Sequence, residues 1–173
     1  MVCWKFLTKF FLAFLVLGFA IWAGSLSESR SFSRIDRILV EKNKRVMSVF
    51  YKGKFLKSYK IALGGNPVGH KVQEGDQKTP EGTYHISAKY PKSQFYLALQ
   101  ISYPNTRDSE NARKKGVSPG GQIMIHGLGK TFGWLGKLHV KSDWTLGCVA
   151  VTNEQIKEIY DACPVGTKVD VRS

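Results

Sequence analysis

The sequence predicts a mainly β domain with short helices, built as a β-sandwich or a curled mixed sheet and not as a doubly wound α/β fold. Three observations predict it. Short runs rich in β-branched and aromatic residues recur from Ile35 to Val171, turns rich in glycine and lysine separate them, and only two segments carry helical signals. At 173 residues the chain suits one domain plus a short extension and is long enough to bury a core.

The first segment reads as an address. Lys5 and Lys9 precede an apolar stretch from Phe10 to Ala23, and the small residues Ala23, Gly24 and Ser25 close it. That stretch is short for a bilayer span of about 20 residues. Residues 1–25 are therefore expected to be a signal peptide or an N-terminal membrane anchor; Trp22 and the lack of an Ala-x-Ala site leave cleavage open. Either way the body is expected to be exported to the bacterial cell envelope, in the periplasm or at the outer face of the inner membrane. Residues 26–34 are serine-rich, mixed in charge and without apolar period, and read as a linker before a domain at 35–173.

Ile35–Glu41, Val46–Tyr51 and Phe55–Leu63 are spaced as consecutive hairpin strands around Lys42-Asn43-Lys44-Arg45 and Lys52-Gly53-Lys54. Pro80 and Gly82 place a type I turn at 79–82 before a strand over Thr83–Ala88, and Tyr96–Ile101 forms another. Residues 109–115 suit a short surface helix with a basic C-terminal end. Gln122–Ile125 is expected to be a buried strand that delivers His126, and Val149–Val151 the strand beside Cys148. Thr152 and Gln155 fit a capping box for a helix with an apolar face at Ile156, Ile159 and Tyr160, and Lys168–Val171 is the last strand.

The chemistry centres on Cys148, which stands where a turn runs into a β-branched strand, with His126 upstream. A cysteine thiol ionises near 8.5, so a neighbouring imidazole that takes its proton turns it into a competent nucleophile at neutral pH. Gly147 lets the backbone turn tightly, so the amides of Gly147 and Cys148 are expected to face a developing oxyanion. The alternative for a lone cysteine is a small buried hydrophobe.

Three motifs resolve that choice. They are Leu63-Gly64-Gly65-Asn66-Pro67-Val68-Gly69-His70-Lys71, then Gly75-Asp76-Gln77-Lys78-Thr79-Pro80-Glu81-Gly82-Thr83-Tyr84, then Ile125-His126-Gly127 followed after 17 residues by Thr145-Leu146-Gly147-Cys148-Val149-Ala150. Together they resemble the YkuD-type L,D-transpeptidases, cysteine enzymes of bacterial cell-wall metabolism, over roughly residues 36–171. The chain resembles a branch with Thr-x-Gly-Cys-Val-Ala where many members have Ser-His-Gly-Cys-x-Arg or Asn.

The resemblance implies a curled sheet of the L,D-transpeptidase catalytic domain type, with Cys148 as nucleophile and His126 as general base. It implies that the Gly127 carbonyl orients the imidazole and that Thr145, Leu146 and Gly147 shape the oxyanion site. It implies an enzyme that acylates itself with peptidoglycan stem peptides and passes the acyl group to an amine; no cofactor is implied, and a monomer is expected. Hydrolysis, as an L,D-amidase or L,D-carboxypeptidase, is the alternative outcome, and a non-catalytic peptidoglycan-binding module is the alternative of another class.

The remaining candidates are weaker. His139 is the rival base, while His70 and His85 read as loop and strand residues. Trp134 and Trp144 are expected either to line a peptide groove or to fill the core, with His139 as a further substrate-binding candidate. Asp143 either steers a cationic acceptor or is a plain surface carboxylate. His and Cys spacings match no common zinc pattern, so no metal is expected. Cys148 and Cys163 are expected to be free thiols, and Cys3 lies in the leader. The formal net charge of +13 suits polyanionic partners in the envelope; nucleic acid is not expected, because no recognisable nucleic-acid motif accompanies it.

Overall fold

The computed structural model describes residues 32–173. The expected leader at 1–25 and residues 26–31 of the linker at 26–34 lie outside the described residues. Among the described residues no helix is long and apolar enough to cross a membrane.

Eight strands form one mixed, curled sheet: β1 Arg37–Glu41, β2 Val46–Tyr51, β3 Lys54–Lys60, β4 Gly82–Ser93, β5 Tyr96–Ile101, β6 Met124–His126, β7 Val149–Ala150 and β8 Lys168–Arg172. Their spatial order is β3-β2-β1-β8-β4-β5-β6-β7. The pairs β1–β8 and β6–β7 are parallel and the others antiparallel. The curl is legible in β4, whose first four residues pair with β8 while the rest, from Ile86, pair with β5 across two register irregularities. β3 is one edge and exposes Lys54, Lys57 and Lys60, charges that oppose pairing with another chain.

Strand alternation builds the core. Ile38 and Val40, Met47 and Val49, Tyr84 and Ile86, and Val169 and Val171 are all buried at every second position. Three short helices complete the fold: α1 Thr106–Lys114, α2 Gly129–Phe132 and α3 Asn153–Ala162. α3 begins as expected, with Thr152 and Gln155 closing a capping box. It buries Ile156 and Ile159 completely, each contributing about 1.5–3 kcal/mol relative to exposure. A 3-10 run at Gly133–Lys141, kinked at Gly136, follows α2 and had no periodic signal in the sequence.

Candidate active site

The strand pair β6–β7 positions the two candidate side chains. Ile125 is registered with Val149 and both enter the core, so the alternating neighbours His126 and Cys148 project to the other face. There both line a cleft of about 740 Å³. Trp144, Phe95, Phe132 and Lys92 line it too.

His126 is held on three sides. Its ring stacks on Phe95 at 4.3 Å between centroids, meets Trp144 edge-on at 5.9 Å, and places Nδ1 2.6 Å from the Gly127 carbonyl oxygen. Burial lowers its pKa to about 4, against the opposing pull of the Gly127 carbonyl, so the imidazole is neutral at physiological pH. Burial likewise pushes the Cys148 thiol up, although an amide hydrogen bond from Met124 and the field of Lys71 favour the thiolate. Both partners therefore rest neutral, which corrects the expectation that the imidazole raises the resting thiolate fraction. The Cys148 thiol donates instead to the Gln122 carbonyl oxygen, with Sγ at 3.7 Å.

The turn before Cys148 differs in one detail from expectation. The Gly147 N–H donates to Thr145 Oγ1 at 3.1 Å, while that hydroxyl donates to the Cys148 carbonyl at 2.8 Å. Gly147 is thus occupied, and the amide placed toward an oxyanion from sequence is not free for it. Among the described residues no acceptor engages the N–H of Leu146 or Cys148, which makes these two the available donors. Gly147 itself sits at φ +128°, where an added Cβ would lie 2.6 Å from the Lys78 carbonyl oxygen.

The two upstream motifs wrap this turn. Thr145 exchanges backbone hydrogen bonds with Leu63 and Gly65 at 3.0 Å each, and Gly64 N–H donates to Thr79 Oγ1 at 3.3 Å. Asp76 ties its own loop: burial works against ionisation, but the Lys71 ammonium and the amides of Lys78, Val72 and Gln73 hold its carboxyl at about 2.

Of the other candidates, Trp144 lines the cleft and most of the rest fall outside it. Trp134 is 78% exposed and does not line it, whereas Trp144 does. His139 is buried, with neither ring nitrogen partnered, and is absent from the lining; the rival base does not reach it. His70 is tied into its loop by Glu81 N–H at 3.0 Å and by Asp108 at 3.3 Å. His85 is exposed on β4. Asp143 is neither steering nor idle: Arg45 grips it at 2.7 and 2.9 Å, and it accepts from Leu63 N–H at 2.9 Å. Cys148 and Cys163 are free thiols, the latter fully buried. Among the described residues no group of His, Cys, Asp or Glu is placed to hold a metal ion.

Sequence reasoning missed three positioning residues. Asn153 accepts from Leu128 and Gly129 N–H at 2.8 and 3.2 Å and donates to the Gly129 carbonyl, fixing the chain just after His126-Gly127. Buried Lys42 donates to the Gly69 and Thr79 carbonyls and to Glu81, anchoring the long loop. Arg45 anchors Asp143. Asn153 was visible only as part of a capping sequence, and the two cations only as turn residues.

Known proteins resemble this chain in sequence and in fold. The model of the YkuD L,D-transpeptidase catalytic domain matches residues 35–171. A curated protein of Escherichia coli K12 named "Putative L,D-transpeptidase YafK" is 28% identical over 167 residues, covering 86% of this chain and 60% of that one. The helical cell shape determining protein Pgp2 of Campylobacter jejuni is 26% identical with a TM-score of 0.61, over 80% of this chain and 48% of its own. Bd1075 of Bdellovibrio bacteriovorus is 29% identical with a TM-score of 0.57, over 84% and 50% respectively. The chain thus spans 60% of the curated relative and about half of these solved chains. The curled sheet, the three motifs in order and the match across nearly all of the described residues place this chain in the YkuD family of L,D-transpeptidase catalytic domains.

Proposed function

We propose that the chain is an exported cysteine acyltransferase that modifies the peptide stems of peptidoglycan. The observation that carries the reading is the convergence of Cys148 and His126, from separate strands, on one face and in one cleft. Cys148 Sγ attacks the carbonyl of the L-centre of the third stem residue, typically diaminopimelate, as its proton passes to His126 Nε2. The amides of Leu146 and Cys148 hold the tetrahedral oxyanion. Collapse breaks the bond to the terminal D-residue, whose amine leaves with the proton from His126, and a thioester remains. An incoming amine resolves the thioester to a crosslink or an attached protein; water resolves it to a cleaved stem. Export rests on the basic-then-apolar leader, which also supplies a membrane tether where it is retained. The basic body suits the polyanions of an envelope.

The test incubates the purified chain and its Cys148→Ala form with tetrapeptide muropeptides and reads products by mass. Cysteine-dependent dimers mean transfer, and cysteine-dependent loss of a residue or cargo means hydrolysis. Binding with neither product would leave a wall-binding module and overturn the reading.

A further inference from the structure

The cleft that holds Cys148 and His126 is lopsided in charge. Of the described residues that line it, Lys92 alone carries a fixed charge; none is a carboxylate, and His126 is neutral above about pH 4. The rest of the lining is aromatic, aliphatic or amide-bearing, with Phe95, Trp144 and Gln122 as examples. No carboxylate among the described residues pairs with the Lys92 ammonium.

The backbone presents that ammonium by construction. Between the pairs Tyr90–Ala98 and Ser93–Tyr96, β4 carries one more residue than β5, and the extra length falls at Pro91-Lys92. Such a bulge bends a strand and re-aims its side chains. Proline at 91 donates no ladder bond, and Tyr96 on the facing strand takes φ +78°, so the hairpin tip is bent away from regular pairing. Tyr90 and Lys92, two apart, both face the cleft. A cation at the mouth of a mostly apolar cleft, unopposed by any acid there, attracts an anionic group on whatever occupies the cleft.

We propose that Lys92 is a specificity-determining residue that recognises a free carboxylate close to the scissile bond of the acyl donor. The inference rests on the stem-peptide reading given above. In a stem peptide that carboxylate has two sources, the C-terminus of the departing D-residue and the side chain of a diamino-dicarboxylic third residue. Donors amidated at that carboxylate are discriminated against, because the ammonium then meets a neutral group.

The experiment uses the full chain in detergent with three synthetic tetrapeptide stems: both carboxylates free, only the terminal one amidated, and only the side-chain one amidated. Product release is followed for the wild type, Lys92→Met, Lys92→Arg and Cys148→Ala. An exposed ion pair supports an effect of about fivefold. The wild type is expected to lose about fivefold in kcat/KM on one amidated donor, and which one identifies the carboxylate. Lys92→Met is expected to show that same loss on the free donor, in KM rather than kcat, and to treat the discriminated pair alike. Lys92→Arg is expected to restore discrimination, which a merely structural role would not do. Cysteine-dependent turnover that Lys92→Met leaves unchanged on all three donors overturns this inference alone. Absence of cysteine-dependent turnover by the wild type on every donor overturns the stem-peptide reading and this inference with it.

Discussion

The Nδ1 atom of His126 lies 2.6 Å from the carbonyl oxygen of the adjoining Gly127. A carbonyl only accepts, so the proton of a neutral imidazole sits on Nδ1, and Nε2 is left as the bare nitrogen. Because burial keeps the ring neutral down to about pH 4, that nitrogen stays unprotonated at physiological pH.

The neutral resting pair sets the pH dependence. Turnover is expected to fall on the acid side as His126 protonates near pH 4. Alkylation of Cys148 by iodoacetamide is expected to climb with pH and to reach half-maximum above 8.5, the ordinary thiol value, because burial raises the thiol. A plateau of fast alkylation between pH 5 and 7 would mean a resting thiolate-imidazolium pair and would sink the account.

Stability follows from the same burial. His126 and His139 both have lowered pKa values, so the unfolded chain takes up protons first, near 6.5, and the folded state loses relative stability as pH falls from there toward about 4. For His126 alone the full loss is about 3 kcal/mol. Asp76, held at about 2, has the same sign but acts in a lower window, below its usual value near 4. Thermal unfolding followed from pH 7 to 4.5 is expected to show a falling Tm, and His126→Gln is expected to flatten part of that slope. An unchanged slope in His126→Gln would contradict the assignment.

Thr145 braces the nucleophile turn with one hydroxyl that accepts from Gly147 N–H and donates to the Cys148 carbonyl. Thr145→Val removes both bonds and leaves a buried amide without an acceptor, at a cost of about 1–3 kcal/mol. Misplacing the sulfur is expected to lower kcat by about 10- to 100-fold. Thr145→Ser keeps the hydroxyl and is expected to keep most of the activity; steady-state kinetics of the pair decides it.

Much of this molecule was legible before its coordinates, for identifiable reasons. Val46–Tyr51 and Tyr96–Ile101 were bounded as found, because alternation with turn residues at both ends is a local signal. Cys148 and His126 stood out as candidates because three motifs fixed their order along the chain, and both line one cleft. The bracing contacts were not. Arg45 and Asp143 are 98 positions apart, and nothing in either residue's neighbourhood announces the other. The Gly133–Lys141 run lacks any helical period, and the hydroxyl that occupies the Gly147 amide is a matter of ångströms within a turn.

Asn153 offers the sharpest separation of positioning from chemistry, since it touches neither reactive atom in any contact described above. Its amide oxygen serves the N–H groups of buried Leu128 and Gly129, and its amide nitrogen serves the Gly129 carbonyl. Those bonds fix the backbone that follows the Gly127 carbonyl, and that carbonyl holds the imidazole. Asn153→Ala removes all three bonds and is expected to cost about 2 kcal/mol in stability. It is also expected to lower kcat, because the ring is no longer held in one orientation. Asn153→Asp keeps the acceptor for both amides and loses only the donated bond, so it is expected to recover most of the stability. Its negative charge, close to the His126 loop, is expected to move the acid limb of the pH–rate profile upward. Melting temperatures and pH profiles of the two variants separate the effects: full kcat in Asn153→Ala would show that the imidazole is positioned without this loop.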